Sequence, residues 1–341
     1  MNKENYISLK AEDVHKRLIT DVSLNLAEAP KLLEELTASE RYKEDHIFRA
    51  SVETSKAYVA SCNGKQSDVI KRCSHLVEIA HLLQEWELLS FDYNMMANAY
   101  FLLGLYEKAL EYYYCAINNE IEHELTNTLP VSFANIGLIF VNMNLYEKAM
   151  EYLRFALKYI EYADKDYFRL REKKTHILSD IIISSTKLSN PDVEEVDRMY
   201  NQLINISTEG LSPDILHSYH LGLMYYFFWK KDYNRARQEY VKSKNMSGNN
   251  ISIKLVVLYA FIEECNRENL DLEFFENELL EAEQTSTEED PIDEPTVYRN
   301  LKEYYLLHGN HEKVEEVNRK YKKFLENSWE INKKSRLTQY R

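Results

Sequence analysis

The chain has 341 residues, 45% of them apolar, so it can bury a large core, but its 7 glycines and 6 prolines are too few for the tight turns of an all-β fold. A net charge of −14, with no dense basic stretch, argues against a phosphate-binding surface and a nucleic-acid partner. No run of about 18 apolar residues occurs, which excludes a membrane-spanning helix, and the opening MNKENYISLKAEDVHKRL lacks the apolar segment of a secretory leader.

Taken in chain order, residues 11–36 predict a first helix pair, interrupted near Pro30. The stretch QSDVIKRCSHLVEIA predicts a further helix whose closest crossing with its neighbour lies at Ile70. The pattern then sharpens in YNMMANAYFLLGLYEKALEYYYCAINN. Tyr93, Ala97 and Tyr100 share one helical face, Gly104 suits a turn, and Tyr106 opens a second helix that carries Ala109, Tyr113 and Ala116. The segment FANIGLIFVNMNLYEKAMEYLRFALKY repeats this with Phe133, Gly137, Phe140, Asn144, Tyr146, Ala149, Leu153 and Ala156. Ala109 and Ala149 are 149 − 109 = 40 residues apart. A small residue at each point lets paired helices approach, where a larger one would force them apart.

These two units resemble tetratricopeptide repeats. The resemblance implies an all-α, right-handed superhelical solenoid of antiparallel helix pairs, about eight in this length. Fainter copies follow. Val196 lies in PDVEEVDRMYNQL; Tyr233, Ala236 and Tyr240 lie in DYNRARQEYVKSK; Phe275 lies in LDLEFFENELLEA; and Tyr298, Tyr305, Gly309, Val314 and Tyr321 lie in the last copy. Crossing points at 70, 109, 149, 196, 236, 275 and 314 keep steps of 39 or 40, except one of 47 that places extra helix or loop near DKDYFRLREKK. The array is expected to cover 1–327, most clearly in 91–121, 131–161, 215–245 and 296–326. The acidic segment 285–295 reads as a loop.

No nucleophile, acid–base or glycine-rich phosphate constellation stands out, so no catalysis is expected and no cofactor or metal is implied. His217 with His220, and His308 with His311, are each three apart, but further ligands are missing and a structural role is the simpler reading. Cys62, Cys73, Cys115 and Cys265 lack CxxC spacing and read as buried free thiols of a cytoplasmic protein.

In a tetratricopeptide array the first helix of each pair lines the concave face. That places Asn94, Asn98 and Phe101 on one inward stripe and Asn135, Leu138 and Asn142 on the next, as candidates for holding a peptide or protein partner. An asparagine offers a donor and an acceptor to a peptide backbone; equally, these asparagines can cap turns, bridge helices or face water.

The tail YKKFLENSWEINKKSRLTQYR lacks the polar finish of a capping helix. It is similar to connectors that join a tetratricopeptide sensor to a diguanylate cyclase (GGDEF) output domain in bacterial signalling proteins. The resemblance implies a non-catalytic sensor region, with 328–341 leading to an output domain and offering a helix for homodimerisation. A constitutive scaffold and a peptide-pheromone receptor-like regulator are the alternatives.

Overall fold

The computed structural model describes residues 3–163, 170–247, 277 and 294–323. Its architecture is an all-α helical-repeat solenoid, without a strand among the described residues. The helices are α1 (Glu4–Ile7), α2 (Ala11–Leu24), α3 (Ala29–Thr37), α4 (Glu40–Glu44), α5 (His46–Cys62), α6 (Gln66–Leu83), α7 (Trp86–Leu102) and α8 (Tyr106–Glu122). They continue as α9 (Leu129–Asn142), α10 (Tyr146–Ile160), α11 (Leu170–Lys187), α12 (Val193–Ile204), α13 (Pro213–Trp229), α14 (Tyr233–Ser247) and α15 (Glu294–Leu307). Residues 311–323 form a further helix, α16. Pro30 falls in the first turn of α3, where its missing N–H leaves no bond unmade.

The chain forms two compact units. The first holds residues 1–211 and 225–232; within it each helix from α5 to α12 packs on the next. The inner helices also touch their counterparts one pair along, α5 with α7, α7 with α9 and α9 with α11. Arg41 ties down the N-terminal end by donating from Nη1 to the carbonyls of Tyr6, Ile7 and Leu9 at 2.9, 3.0 and 2.6 Å. The second unit holds residues 212–224 and 233–341. In it, His217 of α13 meets the backbone carbonyl of Ser243 on α14 at 2.8 Å, and His220 meets Glu239 at 2.6 Å, so both histidines bind one helix to its neighbour. Tyr298 of α15 packs on Tyr321 of α16 with ring centroids 5.8 Å apart.

The expected 40-residue period resolves into two equal halves. Residues 64, 84, 104, 124 and 144 all take left-handed backbone, each 20 after the last. At each, the helix ends in the same way: the next residue's N–H reaches back five positions to a carbonyl, as Leu105 to Tyr100 at 2.9 Å and Leu145 to Phe140 at 2.8 Å. Gly104 and Asn144 suit this conformation, as expected. Gln84 and Glu124 adopt it without such help, at φ 57° and 56°.

Four of the seven expected crossing points are fully buried. Ala109, Ala149, Val196 and Ala236 are all 0% exposed. In α6 the expected crossing residue Ile70 is only half-buried, whereas its neighbour Val69, 109 − 69 = 40 before Ala109, is fully buried, as are Cys73 and Ala80. Gly137 marks the tightest approach. A Cβ there would lie 2.7 Å from Cγ and 2.8 Å from Cδ2 of Leu153. Part of the step of 47 is extra helix, since α11 has 18 residues where α9 has 14. Phe275, residues 285–293 of the expected loop and the 328–341 connector lie outside the described residues, while Glu294 and Pro295, the last two residues of that expected loop, are helical and open α15.

Candidate functional site

The inner helices of the first unit enclose a groove of about 590 Å³, a volume within the roughly 300–1,000 Å³ typical of ligand pockets. Helices α2, α5, α7, α9 and α11 contribute to it, together with the turn at 124–128. Helix α2 presents this face because Val14, Leu18 and Val22, one helical stripe, are fully buried against the rest of the unit and leave His15, Ile19 and Ser23 turned toward the groove.

Apolar contacts form much of the lining. His15 meets Phe91 edge-on with ring centroids 5.2 Å apart, and Phe91 meets Tyr58 at 6.1 Å. Met95, Val131 and Ile19 continue the surface. Burial, with the nearby Lys16 charge, lowers the His15 pKa to about 4, so the imidazole is neutral at ordinary pH. Its Nδ1 is buried without a hydrogen-bond partner. Charge is modest: Lys16 pairs with Glu87 at 3.0 Å on the rim, and Lys173 and Glu124 add one of each sign.

Of the six residues expected to recognise a partner, the structure brings Asn94, Asn98 and Asn135 to this groove. Their situations differ. Asn135 makes no side-chain hydrogen bond among the described residues, so its amide N–H₂ and C=O are both open. Asn98 accepts from the Tyr113 hydroxyl through Oδ1 and keeps Nδ2 open. Asn94 is engaged: its Nδ2 donates to the Ser90 carbonyl and the Ser132 hydroxyl, both at 2.9 Å, and lies 3.5 Å from Oε1 of Glu120. Phe101, Leu138 and Asn142 do not line the groove. Phe101 packs on Tyr106 with centroids 5.8 Å apart, and exposed Asn142 turns back to donate to the Leu138 carbonyl at 2.9 Å.

The Asn94–Ser132 bond belongs to a repeated device. One period earlier, Thr54 of α5 donates to buried Asp92 of α7 at 3.0 Å. Thr54 precedes Asn94 by 40 residues, and Asp92 precedes Ser132 by 40, so neighbouring inner helices are joined at equivalent places. Burial raises the Asp92 pKa well above the usual carboxyl range, with only the Thr54 hydroxyl opposing it.

Sequence reasoning missed Glu120. It lies on α8 behind the groove, is 0% exposed, and accepts from the Ser132 hydroxyl at 2.9 Å, while Oε2 has no hydrogen-bond partner. Burial raises its pKa to about 8, opposed by the neighbouring polar groups of Ser132, Thr128 and Asn94 and by the charge of Lys173. Its backbone carbonyl receives Leu125 N–H at 2.8 Å, closing the left-handed turn at Glu124 that forms one groove wall. The only sequence signal was a Glu on the apolar side of α8, in register with Ala109, Tyr113 and Ala116.

Among the described residues, no helix is long and apolar enough to cross a membrane. No protein-family model matches the chain. No curated protein matches it. Among solved structures, the chain is similar to the crystal structure of BtubC (BKLC) from P. vanneervenii, with 18% identity over 68% of this chain and 91% of that one, at a TM-score of 0.48. A likeness of that degree carries no argument about function.

Proposed function

We propose that the chain is a non-catalytic recognition module of tetratricopeptide type that binds a short, largely apolar peptide in the groove of its first unit. One observation carries this reading: an aromatic and aliphatic surface lies beside two asparagines with open hydrogen-bonding groups, Asn98 and Asn135. Open amides in an apolar setting suit a backbone whose N–H and C=O groups must be satisfied as water leaves. Asn135 has the complement for one peptide unit, donor to carbonyl and acceptor from N–H, and Asn98 has a donor for a second carbonyl. The near balance of charge favours a peptide without a strong charge of its own. The uninterrupted stacking from α5 to α12 supports a further step, in which an occupied groove alters how successive pairs lean on one another. Coupling to a cyclase or other output domain rests on the sequence of 328–341.

A randomised short-peptide display library, panned against the intact chain, tests the reading. Selected peptides should carry apolar residues, and Asn135→Ala should weaken them about two- to twelvefold, the range for one hydrogen bond. Asn98→Ala should add a comparable loss, while Asn142→Ala changes nothing. Peptides indifferent to Asn98 and Asn135 would remove the groove from the account.

A further inference from the structure

We propose that Glu120 is a proton-operated positioning residue that decides whether Asn94 offers the groove a hydrogen-bond acceptor. The inference concerns the groove to which the preceding reading assigns peptide recognition, but it rests on geometry present in the free protein.

The Ser132 hydroxyl stands between two acceptors. Its Oγ is 2.9 Å from Glu120 Oε1 and 3.2 Å from Asn94 Oδ1. One hydroxyl has one proton, so it can donate to only one of them at a time. Asn94 Nδ2 lies 2.9 Å from the same Oγ and can donate to it in either case.

The protonation of Glu120 selects the direction. As a carboxylate, Glu120 can only accept, and it is the stronger acceptor, so Ser132 donates to it. Hydrogen bonds then run from Asn94 N–H to Ser132 and from Ser132 O–H to Glu120, and Asn94 Oδ1 is released. As a carboxylic acid, Glu120 can donate from Oε1 to Ser132 Oγ. The Ser132 proton then turns to Asn94 Oδ1 and caps it. No covalent bond changes other than the O–H of Glu120, which gains or loses one proton to solvent.

The surroundings allow both states to be populated. Ionisation leaves a buried carboxylate with Oε2 unpartnered, which is costly; Lys173, reaching the site from α11, partly offsets this. Helix α7 presents Asn94, helix α9 presents Ser132, and the turn before α9 presents Thr128, none of which titrates. Among the described residues, Lys173 is the charged side chain whose field acts on Glu120 from the packed elements. The resulting pKa of about 8 puts the exchange within reach of mildly alkaline solution.

The test uses the full chain without ligand, with ¹³C-labelled glutamate carboxyls and ¹⁵N-labelled asparagine amides followed by NMR from about pH 6 to about pH 10. The Glu120 carboxyl and the Asn94 side-chain amide should titrate with one midpoint. In Ser132→Ala the Glu120 carboxyl should still titrate while the Asn94 response shrinks to the direct effect of a carboxyl oxygen 3.5 Å from Nδ2; in Glu120→Gln the Asn94 amide should be flat throughout. An Asn94 amide that stays flat while Glu120 titrates in the natural chain overturns the proposal. So does an Asn94 titration that persists unchanged in Ser132→Ala, which keeps the test decisive if Glu120→Gln does not fold. The two readings fail separately: selected peptides that ignore Asn98 and Asn135 remove the groove assignment, whereas the NMR titration alone decides the relay.

Discussion

Replacing Gly137 with alanine should change sign in its effect on stability when Leu153 is shortened. In the natural chain the new Cβ would sit 2.7 Å and 2.8 Å from two carbons of Leu153, whereas carbon atoms prefer about 3.5–4.0 Å. Leu153 is itself 0% exposed, so its side chain has no open space to enter. Overpacking of this kind costs about 1–3 kcal/mol, while Gly→Ala in a helix interior returns about 1 kcal/mol. The net expectation is a loss of roughly 1 kcal/mol. Leu153→Ala alone should cost about 2–5 kcal/mol by leaving a cavity. In that background the clash is gone, and Gly137→Ala should stabilise by about 1 kcal/mol through helix propensity. The four proteins of the cycle can be compared by urea unfolding followed by far-ultraviolet circular dichroism, with hydrogen exchange in α9 and α10 as a local check, because repeat arrays depart from two-state behaviour. A Gly137→Ala effect of the same sign and size in both backgrounds would refute close helix approach as the reason for this glycine.

Gln84→Gly should stabilise the chain by about 0.5–1 kcal/mol, because it relieves left-handed strain at φ 57° at the cost of some unfolded-state entropy; urea unfolding that shows a loss would contradict the strain. Glu120 has a folded pKa of about 8 against an ordinary 4.5, so the folded chain holds this proton more tightly than the unfolded one. Its contribution is therefore fully present below about pH 4.5 and declines as pH rises through about 8, by at most a few kcal/mol. Glu120→Gln should flatten that decline in melts at graded pH; an unchanged slope would place the ionisation elsewhere. Asp92→Asn should likewise gain on the natural chain as pH rises, since burial also holds the Asp92 carboxyl toward its neutral form.

The periodic features of the fold were legible because packing imposes them on residue type. Alanine at 109 and 149, tyrosine opening α8 and α10, and glycine or asparagine at 104 and 144 each follow from local geometry that few residues satisfy. Gln84 and Glu124 escaped notice because the backbone bonds closing each turn, Glu85 N–H to Ala80 and Leu125 N–H to Glu120, hold them in a conformation their own side chains do not favour. Period alone could assign Asn94, Asn98 and Asn135 to an inward stripe. It could not show that Asn94 is engaged by Ser132, 38 residues away, while Asn135 is open. Likewise, the contribution of His15 to the groove depends on which residues of α2 are buried against other helices, and no local spacing encodes that.

The most direct test of the central claim is hydrogen exchange of the full chain with and without a peptide selected from the display library. Binding in the groove predicts slowed exchange in α7, α9 and the 124–128 turn, with smaller protection in α2 and α11 and little change in α8 and α10. Protection confined to α8 and α10, or no protection at saturating peptide, would contradict recognition by the inner helices.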